Sequence, residues 1–186
     1  MITITALWMP IVLSAVAVFL VSSVLHMALK YHQADYKRIP NEEEALAGIR
    51  KAGLSPGYYH FPYCESMKEM GTPETAEKMR RGPVGMLTLM PNGPMSMSKP
   101  LTIWFIYSLV VSLFVAYLAG RTVASGADYL AVFRVAGATA FLAYGLGQLV
   151  DSIWKGMPWS NTLRAVFDGL VYSLVTAGFF GWLWPR

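Results

Sequence analysis

The sequence predicts an all-α membrane protein: a four-transmembrane-helix bundle with a small α+β polar cap between helices 1 and 2. Three observations carry this. The 186 residues are 55% apolar and 13% aromatic, with a mean hydropathy of +0.42, more than a soluble core of this size needs. Four apolar runs, at about 7–29, 101–120, 129–150 and 163–183, are each long enough to cross a hydrocarbon layer of roughly 30 Å. Charge is gathered between the first two, where ten of the fifteen Lys and Arg and eight of the eleven Asp and Glu fall within 30–100. The chain therefore divides into helix 1 (1–29), a polar cap segment (30–100) and helices 2–4 (101–186).

Each apolar run is expected to be helical, because lipid supplies no water to an exposed backbone. No basic residue precedes the first run and no small-x-small cleavage signal follows it, so it reads as an uncleaved anchor. Placing the amino terminus outside gives the cytoplasm Lys30, Lys37, Arg38, the other basic residues of the polar segment, Lys155 and Arg164. Arg121 and Arg186 stay outside, and this asymmetry predicts that both termini are external and 30–100 cytoplasmic. Trp8, Trp182 and Trp184 are expected at one interface, and Trp104, Trp154 and Trp159 at the other.

The polar segment carries the punctuation of short folded elements. Asn41 and Glu44 form a capping-box pattern, Glu42 and Glu43 sit in the first turn, Arg50 and Lys51 in the last, and Gly53 follows. Thr72-Pro73-Glu74 opens a second helix that closes through Lys78, Arg80 and Arg81 onto Gly82-Pro83. Residues 58–61 and 84–89 read as short strands. Positive and negative charges are mixed here despite a net charge of +4, which excludes a nucleic-acid footprint.

Small residues recur every four positions in the last run: Ala165, Gly169, Ser173, Ala177 and Gly181. The second run repeats the pattern with Ser108, Ser112, Ala116 and Gly120, and the third places Ala136, Ala140, Ala143 and Gly147 on one face. Small residues at this spacing let backbones approach closely, which matters where apolar burial supplies little drive between helices. These faces are expected to pack, either on one another or on a second subunit.

Polar groups inside the runs are few. His26, Gln148 and Asp168 all fall near the same end of the alternating path, where a ring of the three would suit a proton, an ion or a ligand head group. The favoured expectation is plainer: Asp168 pairs with Arg164 one turn away, and His26 bonds Ser22 or stays hydrated. In the polar segment, His60, Cys64, Met67 and Met70 make a weak soft-ligand group suited to Cu(I), although methionine at this density more often fills an irregular core. Cys64 is the single cysteine, which excludes an internal disulfide and a CxxC metal site. There is no G-x-S-x-G elbow, H-E-x-x-H helix, phosphate-binding glycine loop or G-x-G-x-x-G fingerprint.

The stretch Asp151-Ser152-Ile153-Trp154-Lys155-Gly156-Met157-Pro158-Trp159, with Asp168-Gly169 in the small-residue helix that follows, resembles uncharacterised families of small four-helix bacterial inner-membrane proteins. The resemblance covers the carboxyl-terminal third and implies the helix count and an inner-membrane location, with no functional residue to transfer. The leading expectation is a non-enzymatic accessory or scaffold subunit of a membrane assembly. The alternatives are a metal-handling or redox-linked factor and a small transporter or lipid-binding protein. No cofactor is predicted, copper and haem being left open; the expected partners are membrane lipids, other membrane-protein subunits or a second copy, and no nucleic acid.

Overall fold

A computed structural model describes the chain from Met1 to Arg186. In chain order, a 3-10 turn (Ile4–Leu7), α1 (Trp8–Ser23) and a π turn (Val24–Ala28) make the first long helix, and a second 3-10 turn, Lys30–Asp35, follows. Next come α2 (Glu42–Lys51), β1 (Gly57–Phe61), α3 (Met67–Met70), α4 (Pro73–Arg81) and β2 (Gly85–Leu89). The second long helix is α5 (Ser98–Thr122); α6 (Tyr129–Tyr144), a 3-10 turn (Leu146–Gln148) and α7 (Leu149–Lys155) make the third, and α8 (Trp159–Trp182) the fourth. All four are long and apolar enough to cross a membrane. The chain folds as two units, a helical one of Met1–Tyr36 with Ser96–Arg186 and a polar one of Lys37–Met95. Lys30–Tyr36, which the sequence alone puts in the polar segment, thus belongs to the helical unit.

In the polar unit the expected elements form. The Thr72 hydroxyl accepts from the Thr75 amide at 3.3 Å and Pro73 occupies the first turn of α4, so its amino end is capped. Asn41 precedes α2 as expected, but its side chain makes no capping bond. β1 and β2 pair antiparallel, with Gly57 opposite Leu89 and Phe61 opposite Gly85.

In the helical unit, α1 packs on α5 and α8, and α6 closes the ring by packing on the same two helices. Small residues form the seams. Ser14 of α1 and Ser112 of α5 meet at 3.0 Å between hydroxyl oxygens, and Ser108, Ala116, Ala136, Ala140 and Ala177 have no exposed surface. The closest approach joins the end of α6 to the first half of α8. A Cβ on Gly169 would lie 2.5 Å from the Cα of Gly145, so the two backbones touch where neither helix has a side chain. The ladder of α8 is used within the chain: Ser173 is buried, Ala177 lies against Gly137, and Gly181 faces the Tyr129 ring. Ala165, its first rung, borders a cavity instead. In α5, Gly120 lies against the carbonyl of Ile2.

The two ends of the unit differ. At one, Ile2 N donates to Gly120 O at 2.9 Å, Gly126 N to Pro185 O at 2.9 Å and Trp184 Nε1 to Ala124 O at 2.8 Å, tying both termini to the α5–α6 connection. Trp184 is therefore buried inside the protein and is not part of an interfacial belt. Trp104 also departs from the belt, because its indole N–H donates to Ser22 Oγ at 2.8 Å and its ring packs on Tyr107, Tyr144 and Tyr172. Trp8, Trp154, Trp159 and Trp182 remain exposed.

Gly169→Ala should lower the thermal midpoint in detergent, since overfilling a well-packed seam costs about 1–3 kcal/mol. Leu174→Ala, on an exposed position of the same helix, should move it much less. Equal tolerance of the two in a melting experiment would contradict the close α6–α8 contact.

Candidate functional site

At the end opposite the termini, Asp168 sits in α8 beside the Gly169 contact and is only 3% exposed. A carboxylate in that position needs partners, because burying an unpaired charge costs several kcal/mol. They come from the end of the first long helix and the turn after it. The π turn holds His26, and the following 3-10 turn packs against α8. The Tyr31 hydroxyl donates to Asp168 Oδ1. His32 Nε2 lies 2.8 Å from Asp168 Oδ2, and His26 Nε2 is aimed at the same oxygen from 3.6 Å. The two imidazoles stack with centroids 4.2 Å apart and planes 20° from parallel.

A second layer fixes this arrangement. His32 Nδ1 is 2.6 Å from Asp35 Oδ2, and Arg164 Nη1 donates to Asp35 Oδ1 at 2.5 Å. Asn161 Nδ2 donates to the Asp35 carbonyl at 2.9 Å, so the turn is anchored to α8 through both backbone and side chain. Burial works against ionisation of Asp35, but the hydrogen bonds and charges of His32 and Arg164 outweigh it and hold the carboxyl below its ordinary value. Burial first, and then the bond to Asp168, push the Tyr31 phenol well above its usual range, so it remains a donor.

These groups line a cavity of about 550 Å³. Its walls are aromatic and apolar, with Trp104, Tyr107, Tyr144, Tyr172, Met27 and Leu101 facing the polar cluster. Two of the wall phenols, Tyr144 and Tyr172, are buried with no hydrogen-bond partner. Ser108 Oγ, a polar neighbour of the Tyr144 hydroxyl, donates to Trp104 O at 3.0 Å and keeps its lone pairs for that phenol.

The residues singled out in the sequence separate here. His26 and Asp168 come together, whereas Gln148 lines the cavity and turns its amide to Tyr144 O at 3.5 Å. Arg164 pairs with Asp35 and not with Asp168 as expected, since Asp35 is delivered by the folded-back turn and a basic residue four before an acid is the weaker helical orientation. Ser22 is occupied by Phe19 O and Trp104, leaving His26 to Asp168. His60 Nδ1 faces Pro62 O at 3.1 Å, and Met67 and Met70 are exposed; the convergence of ligating atoms is at His26, His32 and Asp168, within 4.8 Å of one another. His32, Tyr31 and Asp35 were not anticipated. The available signal is the Tyr-His-x-x-Asp pattern directly after the first apolar run, which places imidazole and carboxylate one turn apart. Compared with family models, curated proteins and solved structures, the chain matches none.

Two consequences are measurable. Asp168→Asn should destabilise the protein by about 1.5 kcal/mol or more, the scale of losing hydrogen bonds to a charged group. Asp151→Asn, which breaks an exposed i, i+4 pair with Lys155, should cost at most about 0.5 kcal/mol. Because the folded-state value of Asp35 is lowered, its contribution is full above the ordinary carboxylate range and is lost as the pH falls through that lower value. Melting curves of wild type and Asp35→Asn should therefore converge in acid and separate towards neutral pH.

Proposed function

We propose that this is a multi-pass membrane protein that binds an amphiphile, with the ligand's polar head at the His26–His32–Asp168 cluster and its apolar part against the aromatic wall. The carrying observation is the cavity itself: a partly apolar chamber of about 550 Å³ with a buried carboxylate and two imidazoles converging at one side. Ligand sites combine these features, and an ionisable residue within an apolar helix is by default a functional candidate.

A membrane setting is supported by the four long apolar helices and by the bulky side chains on their outward surfaces, including Leu20, Phe114, Leu142 and Phe167. Placement in a bacterial inner membrane, with both termini outside and the polar unit cytoplasmic, rests on the resemblance of the carboxyl-terminal third and on the Lys and Arg distribution. The leading expectation from the sequence, an accessory subunit, drew on the small-residue faces. Those faces are largely occupied by contacts within the chain, so amphiphile binding is the better supported reading.

Ala165 borders the cavity and is small, so Ala165→Trp should fill it. Native mass spectrometry of protein in mild detergent should find a retained lipid-like adduct on the wild type and at least tenfold less on Ala165→Trp. Leu174→Trp, on an exposed face, serves as the control. Undiminished adduct on Ala165→Trp would remove the reading. For orientation, Cys64 should react with an impermeant thiol reagent only after cells are opened; labelling of intact cells would reverse the proposed topology.

A further inference from the structure

His32 poses a donor problem. Asp35 faces its Nδ1 at 2.6 Å and Asp168 faces its Nε2 at 2.8 Å, so a neutral ring can donate to one carboxylate but must turn a lone pair towards the other. A proton on the ring or on one of the carboxyls is a solution, and neither makes use of His26. Yet His26 stacks on His32 and directs its own Nε2 at the same oxygen of Asp168. Two imidazole nitrogens and one carboxylate oxygen, gathered within 4.8 Å, offer a solution that uses all three: a shared cation between them.

We infer that His26, His32 and Asp168 bind a divalent first-row transition-metal ion, with Asp35 as the outer carboxylate that orients His32. The donor set decides the class. Two imidazoles and a carboxylate suit zinc, ferrous iron, cobalt or nickel, lack the thiolate or thioether of a Cu(I) site, and have too few oxygens for calcium or magnesium. The surroundings are those of a ligating histidine, whose far nitrogen characteristically bonds a carboxylate, and here Arg164 holds that carboxylate in turn. Tyr31 occupies Asp168 Oδ1, leaving Oδ2 to the two histidines. The charges agree as well: Asp35 and Asp168 bring two negative charges and Arg164 one positive, so neutral imidazoles leave the cluster anionic. Tetrahedral zinc bonds of about 2.0–2.2 Å place ligand atoms roughly 3.3–3.6 Å apart, so His32 Nε2 and Asp168 Oδ2, now at 2.8 Å, would part slightly around the ion. His26, half exposed in the middle of the π turn, is the ligand with room to close the remaining gap.

The inference concerns the same three side chains that the proposed ligand head would meet, but it does not rest on amphiphile binding. Its test uses metal alone on chelator-stripped, detergent-purified full-length protein, titrated with Zn²⁺ or with Co²⁺ as a visible-band reporter. One ion per chain is expected. His26→Phe keeps a stacked ring but removes the nitrogen, so it should weaken affinity at least tenfold while the melting temperature of the metal-free protein hardly changes. Asp35→Asn should weaken affinity about 10–100-fold, the usual cost of losing such an outer partner. His60→Gln should have no effect. Absence of a stoichiometric site, or full affinity in His26→Phe, would overturn the inference, as would loss of binding in His60→Gln. Metal binding that fails while the adduct on wild type and its loss in Ala165→Trp persist sinks this inference only; the converse pattern sinks only the amphiphile reading.

Discussion

A carboxylate buried in an apolar helix has to be answered by donors, and the helical unit is arranged around that requirement at Asp168. Arg164, the basic residue one turn away on α8, is engaged by Asp35, so the donors to Asp168 arrive from elsewhere in the chain. They arrive from the stretch directly after the first long helix, which turns back as a 3-10 turn and delivers Tyr31 and His32 to the two oxygens. Once that turn is pinned, Asp35 lies within reach of Arg164, and the basic residue is drawn away from its own helix. Removing the buried carboxylate would leave the turn, the stacked imidazoles and the Arg164 contact without their common anchor.

Close packing at one level of the unit makes the site possible. The glycine contact between Gly145 and Gly169 brings the end of α6 against α8 next to Asp168, and Tyr144 and Tyr172 are buried on either side of it. Their rings meet edge-on with centroids 5.6 Å apart, and Trp104 of α5 packs on both. The result is a packed aromatic wall lining the same cavity as the polar cluster. A chamber so built combines an apolar wall with a small number of fixed polar groups, the combination that gives ligand sites both affinity and orientation.

The alternation of long apolar runs with a charged segment yielded the helix count and the elements of the polar unit apart from the short α3, because length, hydropathy and caps such as Thr72-Pro73 are local properties. Small residues at a spacing of four announced close packing for the same reason. The location of His26 and Asp168 at one end followed from the path of the chain alone, since successive long helices alternate in direction. The identity of their partners did not follow. An i, i+4 spacing makes Arg164 the obvious mate of Asp168, and no pattern within a single helix reveals that a distant turn competes for both residues.

What the sequence determined by itself was therefore periodic or local: four apolar helices, a mixed-charge insertion with two short strands, and faces of small residues. Tertiary structure decided which of those faces meet, that Trp104 and Trp184 serve the interior, and that Tyr31, His32 and Asp35 join the site. The physical reason is range. Backbone hydrogen bonding and hydropathy act over a turn or a span, whereas the satisfaction of one buried charge is a condition on the whole unit, met here by residues more than 130 positions away in the chain.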